Sequence, residues 1–253
     1  GLTRGLGTRT RAWGAGVRPR ARSLGLVVAI EAYPHGPGPS RGRHLERVAL
    51  AEALGFSAVW LRDVPFEVPS FGDAGQTFDP VVYLGALATR TKRIALGSGG
   101  IMLPNYSPLK VAEWGQTLSQ LNPGRIEIGL GRATGADPRA SAALLGPGGQ
   151  NFPALLRLMM DWMLDSSGEV PLAEDHRARG IAANPPGPRP DVWMLCSSPG
   201  SAAFAGQMGL KLAFADFLNP GGAGDALAAY HDAFEPSPDR KSTRLNSSHT
   251  VIS

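Results

Sequence analysis

Two rhythms of apolar residues alternate along this chain. Short apolar runs at Leu24–Ile30, Ser57–Leu61, Arg93–Ser98, Arg125–Leu130, Asp191–Cys196 and Lys211–Asp216 read as buried strands. Between them the spacing becomes helical. Leu45, Val48, Ala49 and Ala53 recur at i, i+3, i+4 and i+8, and Gly55 stands where a helix ends on a left-handed glycine. Val81–Thr89 continues the helical pattern. Ser107 followed by Pro108 reads as an N-cap and first helical residue, with Val111, Trp114, Leu118 and Leu121 on one stripe. Further helices are predicted over Phe152–Leu164, over 200–208 with Gly209 as its stop, and over 223–234. The stripe Leu155, Leu158, Met159, Trp162 and Met163 reads as core packing.

The first four strands start about 32 to 36 residues apart, the length of a strand plus a crossover helix. Strand–helix units in this series build parallel sheets. Six such units predict an α/β protein of (β/α)8 TIM-barrel type, incomplete by about two units. A doubly wound sheet is the competing layout, but it calls for a glycine-rich fingerprint after its first strand. Glu31-Ala32-Tyr33-Pro34 stands there instead.

Composition sharpens this picture. The formal net charge of +4 is unevenly spread. Residues 1–23 hold six arginines and no acid, and residues 239–253 carry +2, which leaves −4 on the body from 24 to 238. These boundaries divide the chain into a basic extension (1–23), a barrel (24–238) and a tail outside the fold (239–253). An acidic body offers no electrostatic footprint for nucleic acid. The single Cys196 excludes a disulfide framework, and no apolar run is long enough to span a membrane. The expected location is cytoplasmic.

Three strand-end segments could carry chemistry, since barrel active sites sit at the C-terminal ends of strands. The first is Gly97-Ser98-Gly99-Gly100-Ile101-Met102-Leu103-Pro104, whose glycines allow a flat ligand to approach the backbone; an ordinary glycine-rich loop would look the same. The second is Gly129-Leu130-Gly131-Arg132, where the arginine fork suits a phosphate, or else a surface pair with an acid such as Asp137. The third is Cys196-Ser197-Ser198-Pro199-Gly200-Ser201, where hydroxyls and free N–H groups at a helix start suit an anion; plain N-capping by Ser198 is compatible with that. No Gly-x-Ser-x-Gly elbow and no metal-ligand spacing occurs, and the five histidines are scattered.

The stretches from Gly99 through Glu113 (GGIMLPNYSPLKVAE) and from Leu121 through Arg132 (LNPGRIEIGLGR) resemble the bacterial luciferase-like flavin-dependent monooxygenases, and the likeness runs from about 26 to about 235. The resemblance implies an eightfold barrel that binds reduced FMN, or the deazaflavin F420, and uses O2 on a small organic substrate. It implies that Gly99 and Gly100 form a cis peptide behind the flavin ring. It also implies that Arg132 binds the cofactor phosphate, with Ser197, Ser198 and Ser201 forming the phosphate loop. A separate flavin reductase and a dimer are compatible with it. In this family a loop histidine acts in catalysis after the second strand, whereas Leu61-Arg62-Asp63-Val64-Pro65-Phe66 stands there in this chain. The catalytic group is therefore unassigned. The alternatives are a non-catalytic flavin- or anion-binding barrel, an F420-dependent oxidoreductase, and polyanion binding through the arginine-rich N-terminus.

Overall fold

The computed structural model describes residues 41–66, 78–145, 151–181, 187–235 and 249–252. The strand expected over Leu24–Ile30 and the basic extension lie outside the described residues. Six strands form one all-parallel sheet in chain order: β1 (Ala58–Leu61), β2 (Ala95–Met102), β3 (Ile126–Gly131), β4 (Asp191–Cys196), β5 (Lys211–Ala215) and β6 (His249–Ile252). The helices are α1 (Arg41–Ala53), α2 (Pro80–Arg90), α3 (Pro108–Leu121), α4 (Pro138–Leu145), α5 (Phe152–Ser166), α6 (Pro199–Gln207) and α7 (Ala223–Ala233). The first five strands curl as a half-barrel, an incomplete (β/α)8 architecture. Within the segment expected as a tail, the backbone of His249–Ile252 pairs in parallel with β5, with His249 opposite Leu212.

Strand alternation sorts side chains onto two faces. Val59, Leu61, Leu96, Ile126, Ile128, Leu130, Val192, Met194, Leu212 and Phe214 point into the layer covered by the helices, where Leu84, Leu87, Met159 and Met163 pack on them. Ala58, Trp60, Ala95, Trp193 and Ala213 form a second, smaller cluster on the other face. There the Trp60 indole N–H donates to Glu127 Oε2 at 2.6 Å and the Trp60 ring meets Trp193 edge-on at 5.3 Å. Gly97 makes room for this pair, since a Cβ there would lie 2.8 Å from Trp60 Nε1.

Two helical faces differ from the expected stripes. On α1 the buried positions are Val48 and Ala51, not Ala49 and Ala53, and the neighbouring Glu52 accepts from the 92–94 segment. On α3, Val111, Ala112 and Leu118 are buried, whereas Leu121 is 73% exposed, since the helix ends there. The Met-rich stripe of α5 is buried in the main core. α4 arises in a stretch without apolar periodicity; Asp137 starts it by accepting the N–H groups of Arg139 and Ala140, each at 2.9 Å.

Polar clamps set the N-terminal rim of the sheet. The Glu52 carboxylate accepts the backbone N–H groups of Lys92, Arg93 and Ile94 at 2.6 to 3.1 Å. The buried Arg125 guanidinium donates to the carbonyls of Thr91 and Ile94, both at 3.1 Å. Partial burial raises the Glu52 pKa, but the three N–H bonds and Arg93 outweigh it and hold the carboxyl below its usual range. Glu52→Ala leaves those donors to water and is expected to cost about 1–2 kcal/mol in urea denaturation. Because the folded pKa is depressed, that contribution is present at neutral pH and is lost as pH falls through the lowered folded-state value.

Candidate functional site at the C-terminal rim of the sheet

Parallel strands bring the ends of β1 to β5 to one rim, and the three segments marked in the sequence fall on it. β2 runs through Gly99 and Gly100 to Met102, longer than the periodicity predicts. The Gly99–Gly100 peptide is cis. Pairing with β3 shifts register between Ser98 and Ile101, so the two strands approach unusually closely. A Cβ on Gly129 would lie 2.2 Å from Ser98 O, and one on Gly100 2.8 Å from Gly129 O. The Ser98 hydroxyl, fully buried, donates to Gly129 O at 2.9 Å. No side chain on Gly99 or Gly100 holds a flat molecule away from this backbone.

Arg132 follows β3 and is exposed. The expected alternative partner, Asp137, is engaged elsewhere: it caps α4 and faces Arg139 at 3.6 Å. The charge of Arg132 acts on Cys196 at the end of the neighbouring strand. Burial pushes the Cys196 thiol up to about 12, opposed by a hydrogen bond with Ser201 and by the positive charge of Arg132. The adjacent parallel strands β3 and β4 thus place Arg132 and the 196–201 segment on the same rim. Such a pKa leaves the cysteine a neutral, packed thiol at physiological pH.

Ser198 and Ser201 form a reciprocal capping box at the start of α6. The Ser198 hydroxyl accepts the Ser201 N–H, and the Ser201 hydroxyl accepts the Ser198 N–H, each at 3.3 Å. The plain N-capping reading is therefore realised. It leaves the helix end accessible: a Cβ at Gly200 would meet nothing within 4 Å. Ser197 is half-buried, and its carbonyl accepts the Asn219 side-chain N–H at 3.0 Å, tying the end of β4 to the turn after β5.

Sequence reasoning missed one group on this rim. Asp63 follows Arg62 at the end of β1 and is 1% exposed. Its carboxylate accepts the Met102 N–H at 2.8 Å and the Tyr106 hydroxyl at 2.9 Å. Burial pushes its pKa up to about 6, the two hydrogen bonds pull it down, and Asp79 adds to the rise. The Tyr106 phenol is pushed up by burial and by Asp63. The only signal in the sequence was the presence of Arg62-Asp63 where the family resemblance called for a histidine; neither partner is near Asp63 in sequence.

Among the described residues, no group of three or more His, Cys, Asp or Glu residues is placed to hold a metal, and no helix is long and apolar enough to cross a membrane.

The sequence model of a family described as "Luciferase-like monooxygenase" matches residues 24–253. An uncharacterized Bacillus subtilis protein, YwcH, is 39% identical over 217 residues, covering 82% of this chain and 62% of its own length. An Escherichia coli luciferase-like monooxygenase is 37% identical over 212 residues, covering 83% of this chain and 57% of its own. This chain thus spans about six tenths of the length of these curated relatives. Among solved structures, apo-MsnO8 superposes with a TM-score of 0.69 at 29% identity, covering 90% of this chain and 65% of its own. Two more distant structures share the fold alone. One is the oxygenating constituent of 3,6-diketocamphane monooxygenase from Pseudomonas putida in complex with FMN (TM-score 0.63, 17% identity, 89% and 66% covered). The other is an F420-dependent secondary alcohol dehydrogenase in complex with an F420-acetone adduct (TM-score 0.60, 20% identity, 88% and 67% covered).

Proposed function

This chain belongs to the luciferase-like monooxygenase family, and from that premise we propose that it is an oxidoreductase using reduced FMN and O2 on a small organic substrate. One observation carries the cofactor half of the proposal: on the same rim of the parallel sheet, Arg132 follows β3 and the Ser198–Ser201 start of α6 follows the neighbouring β4. That donor set fits the phosphate of a flavin nucleotide. A guanidinium fork, a helix N-terminus and a half-buried serine each favour an anion. The glycines at Gly99 and Gly100 fit a flat ring lying against the strand.

In this reading Arg132 and the Ser197–Ser201 segment bind and orient the phosphate. Gly99 and Gly100 give the ring a backbone wall, and the surrounding strand ends shield it from water. The bound flavin supplies the redox and oxygen chemistry. Asp63, Tyr106 and Met102 hold the edge of the wall. F420 in place of FMN is the second reading, favoured by the F420-dependent relative of the same fold; a ring of similar shape and a phosphate at its side chain call on the same rim. A separate reductase, a dimer and a cytoplasmic location complete the proposal.

Titration of the chain with FMN, riboflavin and F420 tests it. Arg132→Ala is expected to weaken FMN binding about tenfold or more while leaving riboflavin, which has no phosphate, unchanged. Equal losses for both flavins would place Arg132 outside the phosphate site. Failure of the parent chain to bind either FMN or F420 in both redox states would overturn the cofactor assignment.

A further inference from the structure

The carboxylate of Asp63 ties both ends of one connection to β1. Met102, whose N–H it accepts at 2.8 Å, is the last residue of β2 and follows Gly99-Gly100-Ile101. Tyr106, whose hydroxyl it accepts at 2.9 Å, closes the 3-10 turn Leu103–Asn105 before α3. From the opposite side, the Asn105 side-chain N–H donates to Thr134 O at 2.7 Å. Gly135, at φ +63°, lies so close that a Cβ there would come within 2.9 Å of both Asp63 O and Met102 Cγ. Tyr106 is further held edge-on against Trp114, with ring centroids 5.5 Å apart. The 102–106 connection is therefore braced on three sides, and one brace is a buried carboxylate.

We propose that Asp63 is a positioning residue whose ionised carboxylate locks the 102–106 connection, so that the backbone from Gly99 to Met102 presents a fixed wall to the bound cofactor. The inference rests on the flavin reading above. Ionised acceptors bind N–H and O–H donors about twice as strongly as neutral ones, so protonation of Asp63 loosens the brace without removing it. The titratable groups acting on Asp63 are Tyr106, from the braced connection, and Asp79, at the N-cap of α2; with its pKa held up to about 6, the brace weakens in mildly acidic solution.

The experiment is FMN titration by flavin fluorescence from pH 5 to pH 8, using the full chain, Asp63→Asn and Tyr106→Phe. Asparagine keeps the shape and a neutral acceptor, and so imitates the protonated acid at every pH. Asp63→Asn is expected to bind FMN about tenfold more weakly than the parent at pH 8, and the two are expected to converge near pH 5. The FMN phosphate itself titrates near pH 6 in all three proteins, so the readout is the difference between parent and variant. Tyr106→Phe removes a bond that favours the ionised form, and is expected to move the midpoint of that difference to higher pH. Equal affinity of the parent and Asp63→Asn at pH 8, with FMN bound by both, would overturn the positioning role and leave the flavin reading intact. An unmoved midpoint in Tyr106→Phe would overturn it as well. Absence of FMN binding by the parent at every pH would remove both the flavin reading and the proposal built on it.

Discussion

Asp63→Asn is expected to make the folded chain more stable, not less, at pH 8. A carboxyl with a folded pKa of about 6 and an unfolded value of about 3.9 is ionised at pH 8 in both states, but against the preference of the fold. The difference of roughly two units corresponds to about 3 kcal/mol of stability forgone above pH 6. The sign follows from proton counts. Between about pH 4 and 6 the folded state holds a proton that the unfolded state has released, so this group lowers stability as pH rises through that window. Below about pH 4 both states are protonated and the cost vanishes. Urea denaturation of parent and variant at pH 4 and pH 8 checks this: the two should agree at pH 4 and separate at pH 8 in favour of the variant. For a chain of this size the gain corresponds to roughly 6–12 °C in melting temperature. A variant less stable than its parent at pH 8 would mean that Asp63 is an ordinary structural acceptor. A group that costs stability and sits on the rim of a site is the pattern expected where binding, not folding, maintains it.

The second large effect is expected from adding a single methyl group. Gly129→Ala directs a Cβ to 2.2 Å from Ser98 O, and neither backbone can yield without breaking the β2–β3 pairing around the register shift. The change should cost roughly 3 kcal/mol or more, with the Ser98–Gly129 hydrogen bond lost as well. The control is Gly85→Ala in α2, where a Cβ would meet nothing within 4 Å. There the change should stabilise by about 0.5–1 kcal/mol, since alanine is the better helix former. Comparable melting temperatures for the two variants would show that the close approach of β2 and β3 is not obligatory.

Much of the fold is legible in the chain because it is written in short-range periodicity. The limits predicted for β4 match those observed, and those for β5 differ by one residue. Gly55 and Gly209 sit at positive φ where the pattern placed helix stops. Ser198 caps α6 through contacts three residues apart. Burial was harder to place. Glu52 reaches residues forty positions away, and the buried face of α1 carries Val48 and Ala51 and not the Ala49 and Ala53 that periodicity suggests. The extension of β2 through the glycines at 99 and 100 was hidden because glycine carries no strand propensity; the neighbouring β3 imposes it.

The candidate site divides along the same line. Arg132, Ser197, Ser198, Ser201 and the glycines at 99 and 100 could be picked out because each stands just after an apolar run, and in parallel sheets all such ends meet on one side. What the sequence by itself determined was therefore the order of strands and helices, the rim on which those residues fall, and the family to which they point. What only the tertiary structure decided was which of them touch. Asp137 caps α4 and faces Arg139, Trp60 finds Glu127 across 67 residues, and Asp63 finds Met102 and Tyr106 across 39 and 43. The physical reason is range: capping and periodicity act within a turn or two of the chain, whereas the burial that raises the Asp63 pKa and the donors that oppose it come from strands and loops that meet only when the sheet assembles.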